Sequence, residues 1–185
     1  MFRKLITASV GLLLTANVAL AAGNQTERKD FQIFKDVATS VERYTQFTIF
    51  DDVNASVKDG VVTLTGWVTM PYKRNDIGRR VEKIDGVREV QNKIADLPVS
   101  QFDDELRVRI ARSIYSNANF WNYAIMPNPP IHIVVEHGRV TLTGVVQSEV
   151  DRMLARSLAT QFGALSVTNS LKTDAEVRDT LEKSQ

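Results

Sequence analysis

Val62-Thr63-Leu64-Thr65-Gly66 is written again as Val140-Thr141-Leu142-Thr143-Gly144, 78 positions further on. The flanking residues repeat in register. Lys58-Asp59-Gly60 corresponds to Glu136-His137-Gly138, and Val53, Ala55 and Val57 correspond to Ile131, Ile133 and Val135. Beyond the strand the offset falls to 77, where Ile77, Val81, Gly86, Val90, Asn92 and Ile94 match Leu154, Leu158, Gly163, Val167, Asn169 and Leu171. A one-residue change between strand and helix falls where a surface loop absorbs it. Apolar and glycine positions matching in register over so long a stretch identify an internal duplication.

Each copy reads as the same string of elements. In the first, Phe34, Val37, Val41 and Tyr44 recur at helical spacing. Val53, Ala55 and Val57 alternate like a half-buried strand. Asp59-Gly60 predicts a two-residue hairpin turn, whose central positions both take positive φ. On the return strand Val62, Leu64, Gly66 and Val68 face one way, and Thr63, Thr65 and Trp67 the other. Pro71 suits the first turn of a helix that buries Ile77, Val81 and Ile84. Gly86 ends it with a left-handed cap, and a last strand runs over 87–95. In the second copy, Asp103 or Asp104 caps a helix carrying Leu106, Ile110 and Ile114. Strands cover 131–136 and 139–146, joined through His137-Gly138. Ser148 with Asp151 resembles a capping box for a helix burying Val150, Met153, Leu154 and Leu158. Gly163 stops it, a strand runs over 164–171, and a short frayed helix follows from Asp174.

The predicted fold is α+β: two tandem α-β-β-α-β two-layer domains, each with two helices packed on a small three-stranded sheet. Gly60, Gly66, Gly86, Gly138, Gly144 and Gly163 are its expected turn and cap positions. The other face of each sheet has no helix to cover it. Val61, Trp67 and Val145 point that way, either as scattered surface apolars or as a docking surface between sheets or domains.

The chain opens with Met1-Phe2-Arg3-Lys4, an apolar stretch from Leu5 to Leu20, and Ala19-Leu20-Ala21. This pattern predicts a secretory signal peptide over 1–21 and a periplasmic destination. The apolar stretch is short for the roughly 20 residues of a spanning helix. There is no cysteine, so no cysteine-linked lipid anchor, disulfide or thiolate metal site is expected, and apolar burial must hold the domains together. The expected divisions are a flexible segment over 22–32, a first domain over 33–97, a linker over 98–102, a second domain over 103–173 and a tail over 174–185. The short linker favours a fixed or semi-fixed pair. The 23 basic and 22 acidic residues nearly cancel, which leaves no global field to attract nucleic acid.

Reactive chemistry is sparse. His132 and His137, with only Glu136 as a carboxylate between them, fall short of the three or four ligands of a metal site. There is no Gly-x-Ser-x-Gly elbow, and the glycines stand singly rather than in a phosphate-cradling loop. Asp51-Asp52 precedes a strand. Asp103-Asp104 opens a helix, where negative charge is favoured. No catalytic residue, metal or cofactor is predicted.

The α-β-β-α-β unit with a turn glycine, Val-Thr-Leu-Thr-Gly, a helix and Gly-Val-x-x-Val-x-Asn resembles the BON domain. Gly60, Val62 to Gly66 and Gly86 to Asn92 carry the match in the first copy. Gly138, Val140 to Gly144 and Gly163 to Asn169 carry it in the second, where Ala164 replaces the valine. The resemblance spans about residues 36–172. It implies a non-catalytic bacterial envelope protein, similar to osmotically inducible periplasmic two-BON proteins. Such proteins are expected to contact phospholipid surfaces, or to support envelope integrity and outer-membrane protein biogenesis.

The most unusual segment is 118–130, where Phe120, Trp121, Tyr123, Ile125 and Met126 lie in a proline-rich loop. The first copy has Tyr44, Phe47 and Phe50 at the equivalent place. These aromatics either close the open end of each small core or form an interfacial tip, which suits Trp and Tyr. With Leu106, Ile110 and Ile114 inward, Val108, Arg112 and Tyr115 point outward, with Arg109 at their flank and Glu105 subtracting from the charge. Basic groups near anionic headgroups contribute about 1 kcal/mol each. The candidate contact set is therefore Val108, Arg109, Arg112, Tyr115, Phe120, Trp121, Tyr123 and Met126. A second basic cluster, Lys73, Arg74, Arg79, Arg80 and Lys83, interleaves with Asp76 and Glu82. It reads as a solvated face with i,i+4 pairs or as a polyanion contact. The expected partner is an anionic phospholipid surface. The alternative is an unfolded envelope protein client, shielded by sheet-face apolars and free strand edges.

Overall fold

In the computed structural model residues 16–183 are described, with side chains over 29–179 and at Glu182. Most of the expected signal peptide lies outside the described residues. The first helix, α1, spans Ala16–Glu42, so the segment 22–32, expected to be flexible, is helical. Its inward stripe is Ile33, Val37 and Val41, with Tyr44 beyond its end. Phe34, expected inward, is 38% exposed: a stripe stepping by four from Ile33 leaves Phe34 about 100° round the helix.

β1 (Asp52–Lys58) and β2 (Val61–Val68) pair antiparallel through a turn in which Asp59 and Gly60 have φ of 52° and 74°. Both lie in the left-handed region the hairpin requires. Helix α2 (Pro71–Val81) then carries the chain to β3 (Glu89–Asp96), which pairs parallel to β2. β2 is thus the central strand. Its Val62, Leu64 and Val68 are fully buried, as are Ile77 and Val81 of α2. Gly86 has φ +85° but lies beyond the end of α2, so it shapes the turn into β3 rather than capping the helix.

The second repeat has α3 (Gln101–Tyr115), a 3-10 turn over Ala118–Phe120, α4 (Trp121–Ala124), β4 (Ile131–Glu136), β5 (Arg139–Val146) and α5 (Glu149–Ala159). β6 (Ser166–Asn169), β7 (Lys172–Thr173) and α6 (Asp174–Lys183) follow, so most of the expected tail is helical. β5 is central, antiparallel to β4 and parallel to both β6 and β7. The single strand expected over 164–171 is therefore two short ones on the same neighbour. Asn169 sits at the break. Its side-chain oxygen accepts from the Leu171 N–H at 3.3 Å and its amide donates to Arg152 O at 2.8 Å. Asn92 makes the same pair of bonds, to Ile94 and Arg74. The repeated asparagine thus ties the last strand of each unit to its second helix.

The N-cap of α3 is Ser100, whose hydroxyl accepts from the Asp103 N–H at 3.2 Å. Neither Asp103 nor Asp104 caps it. The Asp103 carboxylate instead accepts from the N–H groups of His137 and Gly138, at 2.9 and 2.7 Å. Asp30 does the same for Asp59 and Gly60. A hairpin turn aims adjacent N–H groups outward, and one carboxylate satisfies both. Gly66 and Gly144 have φ of 117° and 111°, and a Cβ there would lie 2.1 Å from Asp52 O and 1.8 Å from Pro130 O. No side chain fits, which explains the glycine that closes each Val-Thr-Leu-Thr-Gly.

Each repeat has its own core, and the first reaches into the second. Ile49 and Phe50 pack on the second core, and Ile49 O accepts from the Ile133 N–H of β4 at 2.7 Å. His132 contacts Asp51 O through Nδ1 at 2.6 Å and lies against the Phe47 ring. Thr143 donates to the Asp52 carboxylate, and Asn128 to Glu42 O. His132 and Thr143 belong to the sheet face that no helix covers, so domain-to-domain docking is what partly covers the second sheet.

Candidate functional site

The aromatic segment divides between the two roles open to it. Phe120 and Tyr123 are buried members of the second core, so neither is a surface contact. Tyr123 is held by its hydroxyl, which accepts from the Gln147 N–H at 2.7 Å and donates to Asp151 at 2.9 Å. Burial, aided by the Asp151 carboxylate and only partly offset by the Gln147 N–H, pushes its pKa up to about 12. The residues between and beyond stand in water: Trp121 is 65% exposed, Ile125 64% and Met126 40%.

The Tyr123–Asp151 bond sets this tip beside the first turn of α5. The Ser148 hydroxyl caps that helix by accepting from the Asp151 N–H at 3.1 Å. Asp151 turns its carboxylate to Tyr123, so the reciprocal half of the expected capping box is replaced. The buried stripe of α5 is Ala155 and Ala159, with Leu154 and Leu158 half-buried beside it. Val150 and Met153, expected inward, are 70% and 62% exposed. Two alanines four apart bring the helix backbone close to its neighbours, and that choice of inward face rotates Val150 and Met153 into solvent. The exposed pair escaped the sequence reading, although the Ala155/Ala159 spacing was the signal for it.

The outward face of α3 contributes less than expected. Val108 is exposed, Arg109 is paired with Glu105 at 3.1 Å, and Arg112 is exposed in the last turn. Tyr115 is committed elsewhere: its hydroxyl donates to Ile131 O at 2.7 Å and accepts from the Ile131 N–H at 3.2 Å. Burial raises its pKa well above the ordinary tyrosine value, against the lowering effect of the Ile131 backbone. On α5, Arg156 is an exposed cation in the last turn.

The second basic cluster is mostly consumed by the fold. Lys73 is buried against Asp51 at 2.7 Å, Arg74 pairs with Asp96 and Arg79 with Asp76. Arg80 donates to Ser40 O and lies over the Tyr44 ring. His137 is exposed in its turn, and His132 belongs to the junction between repeats. Among the described residues no group of three or more His, Asp or Glu side chains is placed to hold a metal ion. No described helix is long and apolar enough to cross a membrane.

Comparison with known proteins agrees with the duplication. Among solved structures, the C-terminal domain of CdsD, the structural protein of the type III secretion system of Chlamydia trachomatis, is similar at 16% identity and a TM-score of 0.33. That match covers 80% of this chain and 68% of the other. A second CdsD structure is similar at 12% identity and a TM-score of 0.29, covering 82% and 97%. No curated protein matches. Residues 29–95 and 103–175 each match the BON domain family. Together they span well over half of the chain, which therefore belongs to the BON family as a tandem two-domain member.

Proposed function

We propose that this chain is a periplasmic envelope protein that contacts anionic phospholipid surfaces through its second repeat and supports envelope integrity under osmotic or other stress. BON domains are associated in general with phospholipid binding and with osmotic-stress proteins, and are binding rather than catalytic domains. The observation that carries the reading is the set Trp121, Ile125, Met126, Val150 and Met153, five large apolar side chains in water on either side of the Tyr123–Asp151 bond. Exposed apolar surface of this kind marks an interaction site. Tryptophan at its tip suits the depth of lipid headgroups. Arg112 and Arg156 add about 1 kcal/mol each near an anionic surface, so attachment is peripheral and reversible.

The test is co-sedimentation with phosphatidylglycerol vesicles. The wild type is expected to pellet with them at low ionic strength and to be released as salt rises. Trp121→Ser combined with Met153→Ser should remove most of the binding while leaving the fold intact. A wild type that stays in the supernatant even at low salt would refute the reading.

A further inference from the structure

The outer edge of β4 carries the main-chain groups of Ile131, Ile133 and Val135, and each of these residues has a partner there. The Tyr115 hydroxyl serves both the C=O and the N–H of Ile131. Ile49 O accepts from Ile133 N–H, and Arg107 donates to Val135 O at 3.3 Å. β1 pairs with β2 in the same register, displaced by 78 positions. Val53, Ala55 and Val57 therefore turn the equivalent N–H and C=O groups outward. Among the described residues no protein group pairs with them.

The difference is traceable to sequence. The first helices align at an offset of 73, which sets Ile33, Val37 and Val41 against Leu106, Ile110 and Ile114. At that offset Phe34 stands where the second repeat has Arg107, and Glu42 where it has Tyr115. The first repeat lacks both sealing side chains. Burial follows suit: Ile131, Ile133 and Val135 are fully buried, whereas Val53, Ala55 and Val57 are only partly covered.

A groove of about 730 Å³ runs beside this open edge. Its wall on α1 is apolar over Phe34, Ala38 and Val41 and ends at the charged Glu42. Its wall on the second repeat is mixed, with Thr143 and Lys172 beside Val145. The groove continues into the junction between repeats, sharing Phe47 and His132 with it. There the chain already fills the sister edge with its own Thr48–Phe50 turn.

We propose that the edge of β1 binds an extended polypeptide segment as an added strand of the first sheet, with alternate apolar side chains turned toward α1. Unpaired main-chain groups select a main-chain partner. The two-residue alternation of a strand matches one apolar and one mixed wall. Lipid tails offer nothing to the N–H groups, and the proposal does not depend on the lipid reading.

The probe is a fluorescein-labelled peptide of roughly ten residues, alternating Val and Thr between terminal lysines, followed by anisotropy without lipid. Saturable binding to the wild type is expected. Ala55→Pro removes one outward N–H and leaves the ladder to β2 untouched, and should weaken binding about tenfold. Phe34→Arg, which gives the first repeat the residue that seals the second, should do the same at an exposed and fold-neutral position. The same peptide N-methylated at alternate residues should not bind. The proposal is overturned if the peptide does not bind, or binds both variants like the wild type. Loss of binding on Trp121→Ser alone would move the contact to the apolar tip and overturn it too. So would wild-type self-association that Ala55→Pro abolishes and the peptide cannot compete away, which would assign the edge to a second copy.

Discussion

Asp51 shows how much one side chain decides. It is buried, and its carboxylate accepts from the N–H and hydroxyl of Thr48, the N–H and hydroxyl of Thr69, and the ammonium of Lys73. Burial alone would raise its pKa, but Lys73, Thr69 and Thr48 outweigh that and hold it below the ordinary aspartate value. A depressed carboxyl pKa adds stability that is complete above the unfolded value of about 3.9. That stability is lost as pH falls through the folded value. Asp51→Asn leaves Lys73 buried without its counter-charge, and should cost about 3–5 kcal/mol in urea unfolding at neutral pH. The gap to the wild type should begin to shrink below about pH 4, where the unfolded wild-type chain takes up the proton, and close only at lower pH, as the folded carboxylate is protonated too. The second repeat solves the same problem with little charge: Gln147 and Asp151 stand 78 positions after Thr69 and Lys73, and both bond to Tyr123. Adjacent carboxylates at Asp51-Asp52 were visible in the sequence. Their role was not, because Lys73 lies on another element and reads there as one more surface cation.

At the scale of elements, the existence and order of the two main helices of each repeat were legible, whereas α4 lies in a segment that reads as a loop and the early turns of α1 in one that reads as flexible; helix faces were not always legible. In α3 the bulky Leu106, Ile110 and Ile114 mark the buried stripe without competition. In α5 the bulky Val150 and Met153 compete with two alanines, and the alanines face the core. Met153→Ser should therefore change stability by no more than about 0.5 kcal/mol, whereas Ala155→Leu should overpack the site and cost about 1–3 kcal/mol. Guanidinium titration of the two variants checks both. Hydrophobic periodicity reports which residues are apolar. Close helix packing rewards small residues, and that preference runs against periodicity. The aromatic segment divided for a related reason: in a one-turn helix Phe120 and Tyr123 share the inward side, and Trp121 and Ile125 share the other.

At the scale of the molecule, the Thr48–Phe50 turn makes the two repeats interdependent. Its main chain completes the edge of β4 and its side chains enlarge the second core. The intact protein should unfold in one cooperative calorimetric transition. Ile49→Asp, which places a charge against that core, should split it into two and lower the melting temperature of the second repeat more than that of the first. A single unsplit transition in the variant would mean that the contact contributes no coupling.

Turns, the positive-φ glycines, strand alternation and the twofold α-β-β-α-β order follow from chemistry confined to a few neighbouring residues, so reading along the chain was enough for them and for the family. The pairings of Tyr115 with Ile131, Ile49 with Ile133 and Lys73 with Asp51 join residues on different elements. So do the sealed edge of β4 and the open edge of β1. These were decided only when the elements packed: the sequence shows Arg107 and Tyr115 where the first repeat has Phe34 and Glu42, but which backbone group a side chain meets depends on how elements distant in the chain are set against one another.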